Sequence, residues 1–341
     1  MSSDVVATIP QTMDWHGRTV LVTGAGGFIG SHLTEALVRS GAQVRAFIRY
    51  TSRSDLGLLT ELPAEALKQV EIVAGDLRDQ AAVKEACRGI THIFHLGALI
   101  AIPYSYLHPA EVIETNVIGT LNLLLAGRET GVERIVHTST SEVYGTALCV
   151  PMDERHPLQG QSPYSASKIG ADKLAESFYR SFDLPVVTVR PFNTYGPRQS
   201  ARAVIPTIIT QALTQDVVRL GNLEAIRDLT FVSDTVAGFL KVAEAPGVEG
   251  ETFNLGTGEA LRIGDLAGEI IGLVGRPVEI ERDPARLRPT KSEVGRLLSD
   301  NSLARERLGW QPQVSLTEGL KRTIAWVAQH LERYRAGQYE T

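Results

Sequence analysis

The chain has 341 residues, 43% of them hydrophobic, which is enough for a large buried core in one big α/β domain or two unequal lobes. Its net charge of −5 offers no basic patch of the kind nucleic-acid binding needs. No run approaches the roughly 18 apolar residues of a membrane-spanning helix. The opening MSSDVVATIPQTMDWHG lacks a positive n-region and a long apolar core, so a signal peptide is not expected and residues 1–16 read as a flexible tail. The two cysteines, Cys87 and Cys149, have no metal-ligand spacing, and a reduced, cytoplasmic setting is the natural expectation.

Thr19 to Val22 is a short apolar run, read as a buried parallel strand. It leads into TGAGGFIG, where Gly24, Gly27, Phe28, Ile29 and Gly30 open a helix continuing through Ser31 to Ser40. Glycines there let the backbone turn tightly and approach a pyrophosphate, which sits at the helix N-terminus. The strand before and the helix after give this match the context a dinucleotide site requires. The second strand is QVRAFIRY, after which such folds often place an acid for the adenosine ribose. Here Arg49, Tyr50, Thr51, Ser52 and Arg53 stand instead. A cationic, hydroxyl-rich loop suits a 2′-phosphate, so NADP is favoured, with NAD possible. VEIVAGDLRD is the third strand, ending at Asp76 and Leu77, where an adenine edge would be met; capping of the loop by Asp76 is the alternative. THIFHLGAL is the fourth, with Leu96, Gly97 and Ala98 at its end allowing close approach of a cofactor. His92 and His95 read as packed side chains, not ligands. A helix over Glu111 to Thr130 carries Asn116. RIVHTSTSEVYG is the fifth strand.

The alternation of strands and helices predicts an α/β, Rossmann-like, doubly wound parallel sheet with helices on both faces. Ligands in such sheets bind beyond the C-terminal strand ends. Thr140, Ser141 and Glu142 follow the fifth strand, and SPYSASK then places Tyr164 and Lys168 four residues apart, on one face of a helix. A tyrosine beside a lysine is a plausible acid/base pair, because a nearby positive charge favours the phenolate.

TGAGGFIG, HLGA, STSEVYG and YSASK together resemble the extended short-chain dehydrogenase/reductase superfamily over nearly the whole chain. The resemblance implies a catalytic set of Thr140, Tyr164 and Lys168, with Tyr164 and Lys168 also lying against the cofactor and Asn116 matching the usual helix asparagine. Within the superfamily, Thr140-Ser141-Glu142 is similar to the Thr-Asp-Glu or Thr-Ser-Glu of nucleotide-sugar 4,6-dehydratases. Simple 4-epimerases usually carry small or uncharged residues where Glu142 stands, whereas UDP-glucuronate decarboxylases share a Thr-Ser-Glu segment. A dehydratase needs an extra base to take the C5 proton and expel the C6 hydroxyl, and a carboxylate near the sugar is suited to that.

The second half, 191–341, reads as mainly a smaller C-terminal α/β substrate lobe, with the chain crossing back to the first domain (17–190). RPFNTYGPR places Asn193 and Arg198 at a strand end as polar candidates for substrate contact, and the resemblance implies that the asparagine touches the sugar diphosphate. Arg227, in RDLTFVSD, is a diphosphate candidate, since a guanidinium fork matches phosphate oxygens. Asp234 reads as a cap for a helix starting at Thr235, and Arg286 or Arg288 in RLRPTKSEV offers a second phosphate contact, with a plain charged surface as the alternative. These segments resemble most closely bacterial 4,6-dehydratases of GDP- or UDP-N-acetylglucosamine, alongside the GDP-mannose and dTDP-glucose enzymes. The implied reading is a nucleotide-diphosphate-sugar 4,6-dehydratase and a homodimer. A 4-epimerase, a decarboxylase and a non-catalytic cofactor-binding protein are the alternatives. No metal is expected.

Overall fold

In the computed structural model, which describes residues 14–334, the apolar runs of the first half become six parallel strands: β1 (Thr19–Thr23), β2 (Gln43–Arg49), β3 (Val70–Gly75), β4 (His92–His95), β5 (Arg134–Thr138) and β6 (Val186–Pro191). The helices between them are α1 (Phe28–Arg39), α2 (Ala64–Leu67), α3 (Gln80–Ala86), α4 (Ile102–Leu107), α5 (Pro109–Ile113), α6 (Gly119–Thr130) and α7 (Pro163–Phe182). Strand order across the sheet is 3-2-1-4-5-6, so the direction of winding reverses between β1 and β4. That reversal opens a crevice at the C-terminal strand ends, the usual ligand position in a Rossmann-like fold.

After β6 come β7 (Asn193–Tyr195), α8 (Val204–Thr214), β8 (Val217–Leu220), β9 (Ile226–Arg227), β10 (Leu229–Phe231) and α9 (Val232–Glu244). The next strand, β11 (Thr252–Leu255), returns to the main sheet as its seventh member, parallel to β6. Then follow β12 (Leu261–Arg262), α10 (Ile263–Val274), β13 (Glu279–Arg282), α11 (Ser302–Leu308) and α12 (Leu316–Gln329). Three two-stranded ribbons, β7–β10, β8–β13 and β9–β12, assemble beside the main sheet. One apolar cluster runs from Trp15, Val20 and Phe94 through Phe239 to Trp310 and Trp326, tying sheet and second lobe together. A second, built on Leu21, Ile93, Leu123 and Phe178, fills the other face of the sheet.

The structure shifts several expected boundaries. The first helix starts at Phe28, not Ser31, because Gly27 adopts an extended N-cap conformation directly before it. The long helix over 111–130 begins earlier, at Pro109, and is interrupted by a π turn at Glu114–Ile118 that carries Asn116; single π turns recur at functional sites. Of the expected tail, residues 1–13 lie outside the described residues. Trp15 is fully buried, edge-on to His92 and close to Phe94, since a large indole finds apolar cover against β4. Asp234 caps nothing at Thr235: α9 already begins at Val232, and the Asp234 carboxylate accepts from the Val314 backbone N–H at 3.0 Å.

Candidate active site

At the end of β1 the chain turns through Gly24, at φ +69°. A Cβ on Gly24 would lie 2.8 Å from the Gly97 nitrogen at the end of β4, and one on Gly30 would lie 2.2 Å from the Gly24 oxygen. Side chains are thus excluded where a pyrophosphate would approach, and the Gly27 cap leaves the first N–H groups of α1, at Phe28 and Ile29, without side-chain partners from it. Leu77 is buried, and a Cβ on Gly97 would meet its Cδ1 at 2.8 Å; Leu96 and Ala98 line the same β4 end, half-buried. The bare backbone cradle at the strand reversal therefore fits a dinucleotide.

The rim beyond β2 is polar. Arg49 is exposed and reaches the Glu111 carboxylate at 3.4 Å, and Tyr104 donates to the same carboxylate. Arg53 is exposed, and Asp55 accepts from the Gly57 N–H at 2.8 Å, which ties it to its own turn. Asp76 is gripped by Arg78 at 2.7 and 3.0 Å, which holds its carboxyl below the usual range. Of the two readings open for Asp76, the loop contact is the one the structure displays. Asn116 is bonded within the protein at this end of the sheet. Its amide donates to the Leu99 carbonyl and the Ser167 hydroxyl, each at 2.9 Å, and accepts from the Leu99 N–H at 2.8 Å. The π turn aims it between the β4 loop and α7 as a brace.

Ser162 caps α7 reciprocally with Ser165, and Pro163 occupies the first helical position. This fixes where the helix starts and so where Tyr164 and Lys168 emerge; both are buried, at 7% and 4% exposure. Thr140, extended, caps the short 3₁₀ turn Ser141–Tyr144 by accepting from the Glu142 N–H at 3.2 Å. Its hydroxyl keeps a proton to offer Tyr164, whose phenolate it favours. Ser141 is buried in the turn. Burial pushes the Tyr164 hydroxyl above its ordinary range, the charges of Glu142 and Asp172 add to that, and Thr140 opposes it. Desolvation thus dominates Tyr164, in place of the lowering expected from a neighbouring ammonium. Burial also lowers Lys168 to about 8, with the Asp172 carboxylate pushing the other way.

Glu142 faces cations from the second lobe. Arg288 Nη1 lies 4.0 Å from its carboxylate and has no hydrogen-bond partner despite being buried. Arg227, at the end of β9, is buried, sits 3.7 Å from Glu293, and feels the charges of both Glu142 and Arg288. Asn193 Oδ1 is likewise buried without a protein partner. Two arginines with uncommitted guanidinium N–H groups suit a diphosphate ligand. Glu293 and the hydroxyl pair Tyr106–Ser292, at 2.6 Å across the two lobes, were not picked out by sequence; neither belongs to a periodic or glycine-rich pattern. Arg198 is not at this site. It turns left-handed at φ +67° and its fully buried guanidinium donates to Glu35 on α1 at 2.7 Å and to the Glu61 carbonyl at 3.1 Å. A buried ion pair at 0% exposure on both sides anchors the 193–199 loop and leaves no substrate contact. Among the described residues no cluster of three or more His, Cys, Asp or Glu side chains is arranged to hold a metal. His95 is held neutral between Thr23 and Thr120.

A dinucleotide cradle at the strand reversal, a Tyr–Lys pair on α7 and a Thr-Ser-Glu turn after β5 define a nucleotide-sugar-modifying enzyme of the short-chain dehydrogenase/reductase superfamily. The family model for GDP-mannose 4,6 dehydratase matches residues 21–323, and the chain belongs to that family. It is 36% identical to a UDP-glucose 4-epimerase of Mycolicibacterium smegmatis, over 89% of this chain and 96% of that one. It is 34% identical to a dTDP-glucose 4,6-dehydratase of Streptomyces antibioticus, over 90% and 91%. The solved dTDP-glucose 4,6-dehydratase of Streptomyces venezuelae, with NAD bound, superposes with a TM-score of 0.83 at 31% identity, covering 93% of this chain and 99% of that one.

Proposed function

We propose that this protein is a nucleotide-sugar 4,6-dehydratase acting on a nucleoside-diphosphate N-acetylglucosamine, with NADP as its preferred cofactor. The observation that carries the reading is Glu142: a carboxylate set by the Thr140-capped turn, whose cap also bonds Tyr164, and facing Arg288 and Arg227. Arg227 and Arg288 are assigned to the diphosphate, with Asn193 beside them. Tyr164 takes the proton from the sugar C4 hydroxyl, with Thr140 favouring its phenolate against the burial that opposes it. A nicotinamide dinucleotide held in the Gly24–Gly30 cradle would supply the positive charge and the acceptor and donor for a hydride moved from C4 to C6. The 4-ketone acidifies C5, and Glu142 removes that proton. The C6 hydroxyl leaves as water, with Glu142 or Ser141 passing it a proton; as the hydride is returned to C6, C5 is reprotonated by the proton that Tyr164 took up, which restores both groups. The product is a 4-keto-6-deoxy sugar, and the cofactor ends each turnover in its starting oxidation state.

The NADP preference rests on Arg49 and Arg53 beyond β2, where the one nearby acid of that loop, Asp55, is occupied by Gly57. The N-acetylglucosamine preference rests on the resemblance of the RPFNTYGPRQS and LRPTKSEV segments. The same reading includes a homodimer formed through the 109–130 helix and α7, which expose Ile113, Ile118 and Phe182, and a reducing cytoplasmic setting for the free thiols Cys87 and Cys149. A second reading, C4 epimerisation, is favoured by the 36% identity to the mycobacterial epimerase. The deciding experiment incubates the protein with UDP- and GDP-N-acetylglucosamine, dTDP- and UDP-glucose, and GDP-mannose, weighs the products, and identifies the co-purifying cofactor. Loss of water supports the dehydratase; an unchanged mass with altered stereochemistry supports the epimerase.

A further inference from the structure

One buried cluster directly beneath the candidate site is not needed by any step above. Asp172 sits one helical turn beyond Lys168 and two beyond Tyr164, on the same face of α7, so the three share a stripe. Its carboxylate is 5% exposed and fully partnered. One oxygen faces His137 Nε2 at 3.0 Å; the other accepts from the Ser139 hydroxyl at 2.7 Å and from Arg190 at 3.1 Å. His137 and Ser139 bracket the end of β5, immediately before Thr140. Arg190, on β6, donates in turn to the Tyr144 hydroxyl at 3.0 Å, and Tyr144 donates to Asn254 on β11 at 2.7 Å. Tyr144 is the last residue of the 3₁₀ turn that carries Glu142.

From this geometry we propose that Asp172 is a positioning residue: it fastens the helix bearing Tyr164 and Lys168 to the β5 end and turn bearing Thr140 and Glu142, and it supplies the counter-charge of Lys168. The proposal rests on the reading of Tyr164 and Lys168 as the redox acid/base pair. A buried carboxylate bonded from two strands and a helix fixes relative position more tightly than apolar packing, because its partners have defined directions. The groups facing it are His137 from β5, Arg190 from β6, and Lys168 on its own helix. His137 is kept neutral by burial, with its Nδ1 lacking a partner, so Asp172 balances two cations, Arg190 and Lys168. Lys168 also acts on His95 from β4 and on His137 from β5, both kept neutral by burial, and Glu142 acts on Tyr164 from the turn after β5.

Asp172→Asn keeps the shape and removes the charge. With the panel sugar that is turned over, starting from UDP-N-acetylglucosamine, its kcat is expected to fall by about 10- to 100-fold, as for a small misplacement of reacting groups, with KM within about 3-fold. The alkaline limb of the kcat–pH profile, set by Lys168 near 8 in the parent protein, moves to lower pH by about one unit or more, because removing a nearby negative charge disfavours the ammonium. Ser139→Ala retains the charge and cuts one bond; it loses kcat several-fold with the limb unmoved. A parental kcat and limb in Asp172→Asn overturns the proposal. If that variant does not fold, a parental kcat in Ser139→Ala overturns it. Tyr164→Phe is run alongside: retained activity there sinks the redox reading itself, independently of Asp172.

Discussion

Around Lys168 the polar groups are buried and paired with one another, whereas around Arg288 they are half-exposed and gathered without being satisfied. On the first side, His137, Ser139, Asp172, Arg190, Tyr144 and Asn254 form a continuous bonded network linking β5, β6, β11 and α7, and Asn116 bonds Ser167 of α7 beside it. On the second, residues 283–293 run through two 3₁₀ turns with no buried residue, and Arg288 Nη1 lacks a hydrogen-bond partner. The difference divides the labour of the proposed reaction. Hydride and proton transfer demand groups held to within fractions of an ångström, and these lie on regular elements. Recognition of a diphosphate tolerates, and profits from, cations that complete their bonding only when the ligand arrives. It also locates where a shared chemistry can be redirected to different sugars, since loops change more freely than a bonded core.

The comparison is broken most severely at the paired side. Tyr164→Phe removes the proposed base without disturbing the capped helix start; kcat is expected to drop by about 10²–10⁴-fold, while cofactor binding, followed by fluorescence titration, stays near the parental value. Glu142→Gln lies at the boundary of the two regions. It should lose turnover to a similar extent, yet still oxidise C4, so that absorbance of reduced cofactor near 340 nm builds up instead of being consumed. Full dehydration by this variant would remove Glu142 from the mechanism.

Arg288→Ala probes the loosely held side. Loss of one charge-assisted hydrogen bond, worth about 1.5–3 kcal/mol, should raise KM for the nucleotide sugar by roughly 10- to 100-fold and leave kcat nearly unchanged. A fall in kcat at constant KM would place Arg288 in the chemistry instead. The smallest effect concerns stability. His32, buried and bonded to the Pro197 carbonyl, is lowered by burial to about 3 from 6.5. The folded state therefore refuses a proton that the unfolded chain accepts between those values. Stability is full above 6.5 and declines as pH falls toward 3, by up to about 1.4 kcal/mol per unit. Calorimetric melting at pH 7.5 and 5.5 should show a smaller acid loss for His32→Gln than for the parent; equal losses would mean His32 titrates normally.

Much of the site was legible from short motifs, for local reasons. Gly24, Gly27 and Gly30 are demanded by backbone proximity within eight residues, and the Tyr164–Lys168 pair by helical periodicity. Thr140 and Glu142 are adjacent enough for the cap between them to be local. Arg198 misled because its motif says nothing about direction: a left-handed backbone sends it to Glu35, 163 residues earlier. The π turn that carries Asn116 and its bond to Ser167 has no sequence mark either.

The sequence by itself determined the parallel α/β architecture, the cofactor cradle and the acid/base stretch, since each depends on periodicity or on neighbours a few residues apart. Only the tertiary structure decided which arginines face Glu142, that Arg198 is an anchor, that Trp15 joins the core, and that Asp172 underlies the Tyr164–Lys168 pair. Those outcomes depend on charges and side chains brought together from positions far apart in the chain, where burial and pairing, not local propensity, set the energy.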